Sequence, residues 1–158
     1  NLKRLLTTSS LQVPTDDQQV PKVTKCQNKK CQTCDLIIEG DSYYFKHSQL
    51  KFKVQHNMTC TSSSVIYCME CSNCGEYYIG QTGGPLQKRM TLHRSHINHP
   101  RYRILNVSEH IATCAVGKKP PFKVFPFYQC FDMSTTEREI KEQYFINKLK
   151  PKLNSTQQ

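Results

Sequence analysis

The stretch Ser64-Val-Ile-Tyr67-Cys68-Met-Glu-Cys71-Ser-Asn-Cys74-Gly-Glu-Tyr-Tyr78-Ile-Gly80 limits the possible folds more than any other part of the chain. Its two ends, residues 64–69 and 76–80, are crowded with β-branched and aromatic residues, which favour strands. Between them, Cys71 and Cys74 form a Cys-x-x-Cys turn at chelate spacing. The segment therefore reads as two short strands, each delivering a tyrosine, joined by a metal-competent turn. Gly83-Gly84-Pro85 then turns the chain into a helix with proline at its first position. On that helix Leu86, Met90, His93 and Ile97 recur at helical spacing and supply the inward stripe. Arg89 and His93 are four residues apart, so they lie about 40° from one another around the helix.

The remaining elements are shorter signals. Residues 106–114 read as a second, short helix carrying His110 and Cys114. Phe122-Lys-Val-Phe-Pro126-Phe-Tyr-Gln-Cys130-Phe131 is a third strand, and Pro126 marks it as an edge or a bulge. Ser134-Thr-Thr-Glu137 is a capping box that opens a final helix, with Ile140, Tyr144 and Leu149 expected inward and Pro151 ending it. The order predicts an α+β fold, with a small three-stranded, mainly antiparallel sheet flanked by helices. Residues 63–158 hold this domain. Residues 26–62 form a Cys-rich zinc-binding module, and the polar residues 1–25 form a linker or arm.

Nine cysteines in 158 residues are many, and the odd count argues against a disulfide framework. Their spacing favours metal: Cys26-x4-Cys31-x2-Cys34 needs a fourth ligand, for which Cys60 is the first choice and His47 or His56 are substitutes. Cys71 and Cys74 need two more, and His110-x3-Cys114 has the spacing of a second zinc-finger half, with His96 and His99 as competitors. Two structural Zn²⁺ ions are expected, because four protein ligands leave no open position. Residues 26–62 are too few to fold on apolar burial, so the first zinc would supply stability. Cys68 and Cys130 read as strand core residues. This chemistry points to a reducing, intracellular setting, against which the sequons at Asn57, Asn106 and Asn154 weigh little.

The net charge is +10, from 22 Lys+Arg against 12 Asp+Glu, with a pI near 9.2. Such a balance fits a polyanionic partner and leaves the fold open. No run of 18 or more apolar residues exists, so no helical membrane span is encoded. The opening Asn1-Leu-Lys-Arg-Leu-Leu lacks an initiator Met and a signal peptide, which reads as a piece of a longer protein.

The ordered set Val65-Ile66-Tyr67, Tyr78-Ile79-Gly80, a helix with Arg89, a third strand and a helix with an acidic residue resembles the GIY-YIG nuclease superfamily. It is most similar to the endonuclease domain of Penelope-like retroelements, in which a Cys-x-x-Cys pair separates the two tyrosine motifs. The opening six residues, the Cys26/Cys31/Cys34 cluster, Thr59-Cys-Thr-Ser-Ser-Ser-Val-Ile-Tyr67 and Lys141-Glu142-Gln-Tyr-Phe-Ile-Asn-Lys-Leu share in the likeness. The resemblance implies catalytic roles for Tyr67, Tyr78, Arg89 and His93, a metal-binding role for Glu142 and a trailing Asn154 that holds the pocket or the substrate. Glu139, one turn from Glu142, fits the Glu-x-x-aromatic-Ile pattern less well. Val65 replaces the first glycine of the name-giving motif, and only the tyrosine of that tripeptide is chemically engaged.

The implied activity is metal-dependent nicking of DNA, with partners that include an upstream reverse transcriptase domain and its template RNA, and with a nuclear location. Phosphodiester hydrolysis needs an activated water, neutralised phosphorane charge and help for the leaving oxygen. One Mg²⁺ or Mn²⁺ held by a single carboxylate and waters suits the last two needs. An arginine fork on phosphate oxygens suits the second. The residues leave Tyr67, Tyr78 and His93 open as the base. A rival reading is a zinc-containing module that binds nucleic acid without cutting it.

Overall fold

In the computed structural model, residues 19–103 and 105–154 are described. Most of the expected N-terminal arm, residues 1–18, lies outside them, as does the opening hexapeptide of the resemblance. The elements run β1 (Ser42–Phe45), β2 (Leu50–Lys53), β3 (Val65–Cys71), β4 (Tyr77–Thr82), α1 (Leu86–Asn98), α2 (Asn106–Cys114), β5 (Phe122–Gln129) and α3 (Thr135–Leu149). Short 3-10 turns cover Pro100–Tyr102 and Lys152–Asn154. The fold is α+β, as the sequence predicts. No helix among the described residues is long and apolar enough to cross a membrane.

The main sheet has the order β4-β3-β5, with β3 central and both pairings antiparallel. Its central strand is buried along nearly its whole length, which explains its near-continuous apolar run. Between Ile66 and Tyr67 the register with β5 shifts: Ile66 pairs Tyr128, Tyr67 pairs Pro126, and Phe127 is the extra residue. The expected bulge at Pro126 is thus present, at the point where proline has no N–H to give the ladder.

The outer edge of β5 is not bare. Ile38 N–H donates to Val124 O, and Val124 N–H donates to Leu36 O, forming a parallel bridge between Ile37 and Val124. The stretch Asp35–Glu39, although rich in apolar residues, amounts to this one bridge over the edge. β1 and β2 form a separate antiparallel hairpin. Phe45 and Phe52 of that hairpin pack against Phe127 at 5.3 and 5.2 Å between ring centroids, and Phe45 meets Tyr77 at 5.4 Å. One buried cluster runs from Val23 through Phe45 and the sheet to Leu153.

The stripe Leu86, Met90, His93 and Ile97 is buried, as its spacing predicts. The expected inward set on α3 is corrected. The capping box forms, and Leu149 is buried, but Ile140 and Tyr144 face outward at 65% and 48% exposure. Phe145 takes the core position, in edge contact with Phe52 and Phe127. Half-buried Arg138, Lys141 and Glu142 continue its face, so polar side chains stand there in place of the expected apolar ones.

Candidate active site

The site begins with the register of β3 and β4. Tyr67 lies opposite Gly80, and Tyr78 precedes Gly80 by two residues, so both phenols stand on the same face of the sheet. A Cβ on Gly80 would sit 2.6 Å from Tyr67 Oη, 2.7 Å from Tyr67 Cζ and 2.8 Å from Tyr78 Cε1. The glycine is required because two rings close over its Cα. Tyr77 and Ile79 alternate to the opposite face.

Helix α1 crosses the tyrosine face and delivers two groups. His93 is buried, with Nε2 2.7 Å from Tyr67 Oη, and its ring lies 5.9 Å from those of both Tyr67 and Tyr78. Burial, then the charge of Arg89 and His96, pushes its pKa down to about 3, so the imidazole is neutral at pH 7. The Arg89 guanidinium lies against the Tyr67 phenol, and its Nε is a buried donor without a partner. Burial raises the pKa of Tyr67 above its ordinary value; the neighbouring Tyr78 adds to this and Arg89 opposes it. Tyr78 is raised too, by burial and then by the Glu142 charge.

Glu142 arrives from α3. Burial lifts its carboxyl above the usual range, while Arg89 and the backbone of Gln81 pull it down. Glu139, one turn earlier on that helix, is exposed. Arg138, one turn before Glu142, binds α3 to β4: its Nε donates to Gln81 Oε1 at 3.1 Å, and its guanidinium packs over Gly83. Asn154 secures the other edge of β4. Its Oδ1 accepts from Ile79 N–H and its Nδ2 donates to Ile79 O, both at 2.8 Å. Both ends of that amide are engaged by backbone, so Asn154 is placed to hold the strand that carries Tyr78.

The two Cys clusters assemble as the spacing predicts. Cys26, Cys31, Cys34 and Cys60 form one group, and Cys71, Cys74, His110 and Cys114 the other, with ligand atoms within 4.8 Å of one another. Tetrahedral zinc with bonds of about 2.3 Å sets sulfurs about 3.8 Å apart. Cys26–Cys34 and Cys34–Cys60 measure 3.5 and 3.7 Å, and Cys74 Sγ lies 3.2 Å from His110 Nε2. These donor sets could hold zinc, and none of the nine cysteines is in a disulfide. The substitutes lie elsewhere: His47 pairs Glu76 at 2.6 Å, and His56 meets the Phe131 ring. His99 Nδ1 turns to Ser95 O, and His96 extends the Arg89–His93 row of α1.

The first cluster also fixes α1. The helix has no side-chain cap; instead Leu86 N–H donates to Ser62 O and Gln87 N–H to Cys60 O. A residue of that cluster thus caps the helix that carries Arg89 and His93. Gln81 and Arg138 join the site without having stood out in the sequence, and His96, which the sequence offers only as a rival metal ligand, joins it from α1. No spacing signal marks the first two, because their role depends on α3 lying beside β4.

A three-stranded antiparallel sheet thus has helices against it and two phenols, a guanidinium, an imidazole and a carboxylate gathered toward one face. A family model for the GIY-YIG catalytic domain matches residues 63–154, more than half of the chain, and the chain belongs to that family. The family's nucleases use divalent metals and act on DNA. No curated protein and no solved structure is matched by the chain.

Proposed function

We propose that the chain is a metal-dependent DNA endonuclease that nicks its target, in which Tyr67, Tyr78, Arg89, His93 and Glu142 act on one scissile phosphate. The observation that carries this reading is their convergence. Two phenols from paired strands, a guanidinium with an orphaned buried donor and a half-buried carboxylate meet from three different parts of the fold. Binding alone would need no such gathering.

Glu142 is the carboxylate suited to a divalent cation: it is partly desolvated, and it is the acid that faces Arg89 and the two phenols. When bound, Mg²⁺ or Mn²⁺ supplies charge neutralisation and a leaving-group contact. Arg89 Nε and its terminal nitrogens grip the phosphate oxygens as charge builds. Tyr67 orients the attacking water and passes its proton to His93 Nε2 at 2.7 Å. Neutral His93 is in the right state to accept it. Its basicity is low in the free protein, and the negative charge of a bound phosphate raises it. Tyr78 stands on the same sheet face as Tyr67, with its ring 5.9 Å from that of His93.

The nick is further read as the step that exposes a 3′ hydroxyl for a reverse transcriptase of the same polyprotein, acting on its template RNA in the nucleus. Support for this is the resemblance of residues 59–74 and 141–149 to Penelope-like retroelement endonucleases and the net charge of +10. The test is nicking of supercoiled plasmid in Mg²⁺ or Mn²⁺. Arg89→Ala and Glu142→Ala should each lower the rate about 100-fold or more, the loss of a transition-state charge contact, with both variants folded by circular dichroism. Equal cleavage by all three proteins would sink the mechanism. Cleavage by none, with DNA binding retained, would favour the idle zinc-containing binding module.

A further inference from the structure

Outside the catalytic face, the first Cys cluster and α1 enclose an open groove of about 270 Å³, lined by Lys30, Gln32, Thr33, Gln87, Lys88 and Arg94. Three cations line it, and no acid does. Lys25 and Lys29 extend the basic character along the exposed cysteine loop. Arg94 joins the two walls: one guanidinium nitrogen donates to Gln32 O at 2.9 Å and another to Thr91 Oγ1 at 3.1 Å. Gln87 reaches the cluster as well, with Cys31 Sγ 3.9 Å from its Oε1. The groove is therefore a fixed feature between two anchored walls.

Its position relative to the active site gives it meaning. At 100° per residue, Gln87, Thr91 and Arg94 lie roughly 140–200° around α1 from Arg89, which is the far side of the helix. Between them runs the ridge of α1, with Lys88 exposed and Leu92 42% exposed. A helix is about 10 Å across with its side chains, and the major groove of B-form DNA is about 12 Å wide.

We propose that duplex DNA straddles α1, with the scissile phosphate on the Arg89 side and phosphates across the groove held by Lys30, Lys88 and Arg94. This rests on the endonuclease reading and adds the docking path of the substrate. The first Cys cluster then does more than stabilise its module, because its loop forms one wall of a phosphate clamp.

The test is equilibrium binding of the full chain, zinc retained and no Mg²⁺ added, to a fluorescent duplex of about 20 base pairs across a salt series. Lys30→Ala/Lys88→Ala should weaken binding about tenfold or more near 0.1 M salt. It should also reduce the slope of log affinity against log salt by about 2, one ion pair for each lysine. Lys51→Ala/Lys53→Ala, on the exposed hairpin strand β2, should change the slope little. Equal losses in the two pairs, or no change in the first, would overturn the clamp. So would sensitivity confined to an RNA duplex of the same sequence. If wild type nicks plasmid while the first pair binds like wild type, the docking path fails and the nuclease reading stands. If wild type binds no DNA and cuts none, both fail.

Discussion

At the scale of the residue, the site depends on small groups as much as reactive ones. Gly80→Ala would place a methyl inside contact distance of both tyrosine rings. We expect a loss of about 1–3 kcal/mol of stability from overpacking and a larger loss of nicking, because the phenols must move. Urea melts alongside plasmid assays check this, and a variant with unchanged nicking would refute the close packing. His93 makes a different prediction. Its pKa is about 3 when folded, against 6.5 unperturbed, so between these values the unfolded chain binds more protons. Stability from neutral His93 is therefore present above pH 6.5 and lost as pH falls toward 3. Tyr67, Tyr78, Arg89 and His96 face it, and the Glu142 carboxyl, itself raised by burial, lies beyond them against Arg89 and the phenols. His93→Gln should remove the acid sensitivity, worth about 2 kcal/mol between pH 6.5 and 5 at one proton. Parallel pH profiles for the two proteins would contradict it.

At the scale of the element, α1 matters most, because its start is capped by Cys60 and Ser62 carbonyls and its inner face sets His93 against the two tyrosines. Cys60→Ser should cost one zinc and loosen that cap. We expect faster hydrogen exchange at Leu86 and Gln87 and roughly a tenfold drop in nicking, the scale of loss when a positioning contact goes, although Cys60 does not line the pocket. Unchanged exchange there would show that the cap stands without the metal. α3 shows where a periodic pattern stops being informative. Its capping box is legible because Ser134 and Glu137 act locally. Its inward face is not, because the helix turns Arg138 and Glu142 toward β4 in place of Ile140 and Tyr144.

For the whole molecule, two Cys clusters that could each hold a metal accompany the sheet face of Tyr67 and Tyr78. The second, with Cys71 at the end of β3 and Cys114 at the end of α2, ties the inter-tyrosine turn to the second helix. Metal analysis of purified chain should return two zinc ions, and strong chelation should reduce both fold and nicking. A stoichiometry of one would remove one of the two assignments. The hairpin β1–β2 and the sheet share a core through Phe45, Phe52 and Phe127, so loss of the first zinc should propagate into the catalytic domain.

The sequence by itself determined whatever rests on neighbours in the chain: the paired tyrosine strands, the buried stripe of α1, the chelate spacings and the cap of α3. Those signals are periodic or local, and backbone geometry turns them directly into placement. Only the tertiary structure decided which acid of α3 meets Arg89, that Asn154 clasps Ile79, that Arg138 reaches Gln81, and that a basic groove lies behind the catalytic helix. Each of those joins residues far apart in sequence. Which side chains meet there depends on how the sheet edge and two helices pack, and no local pattern records it.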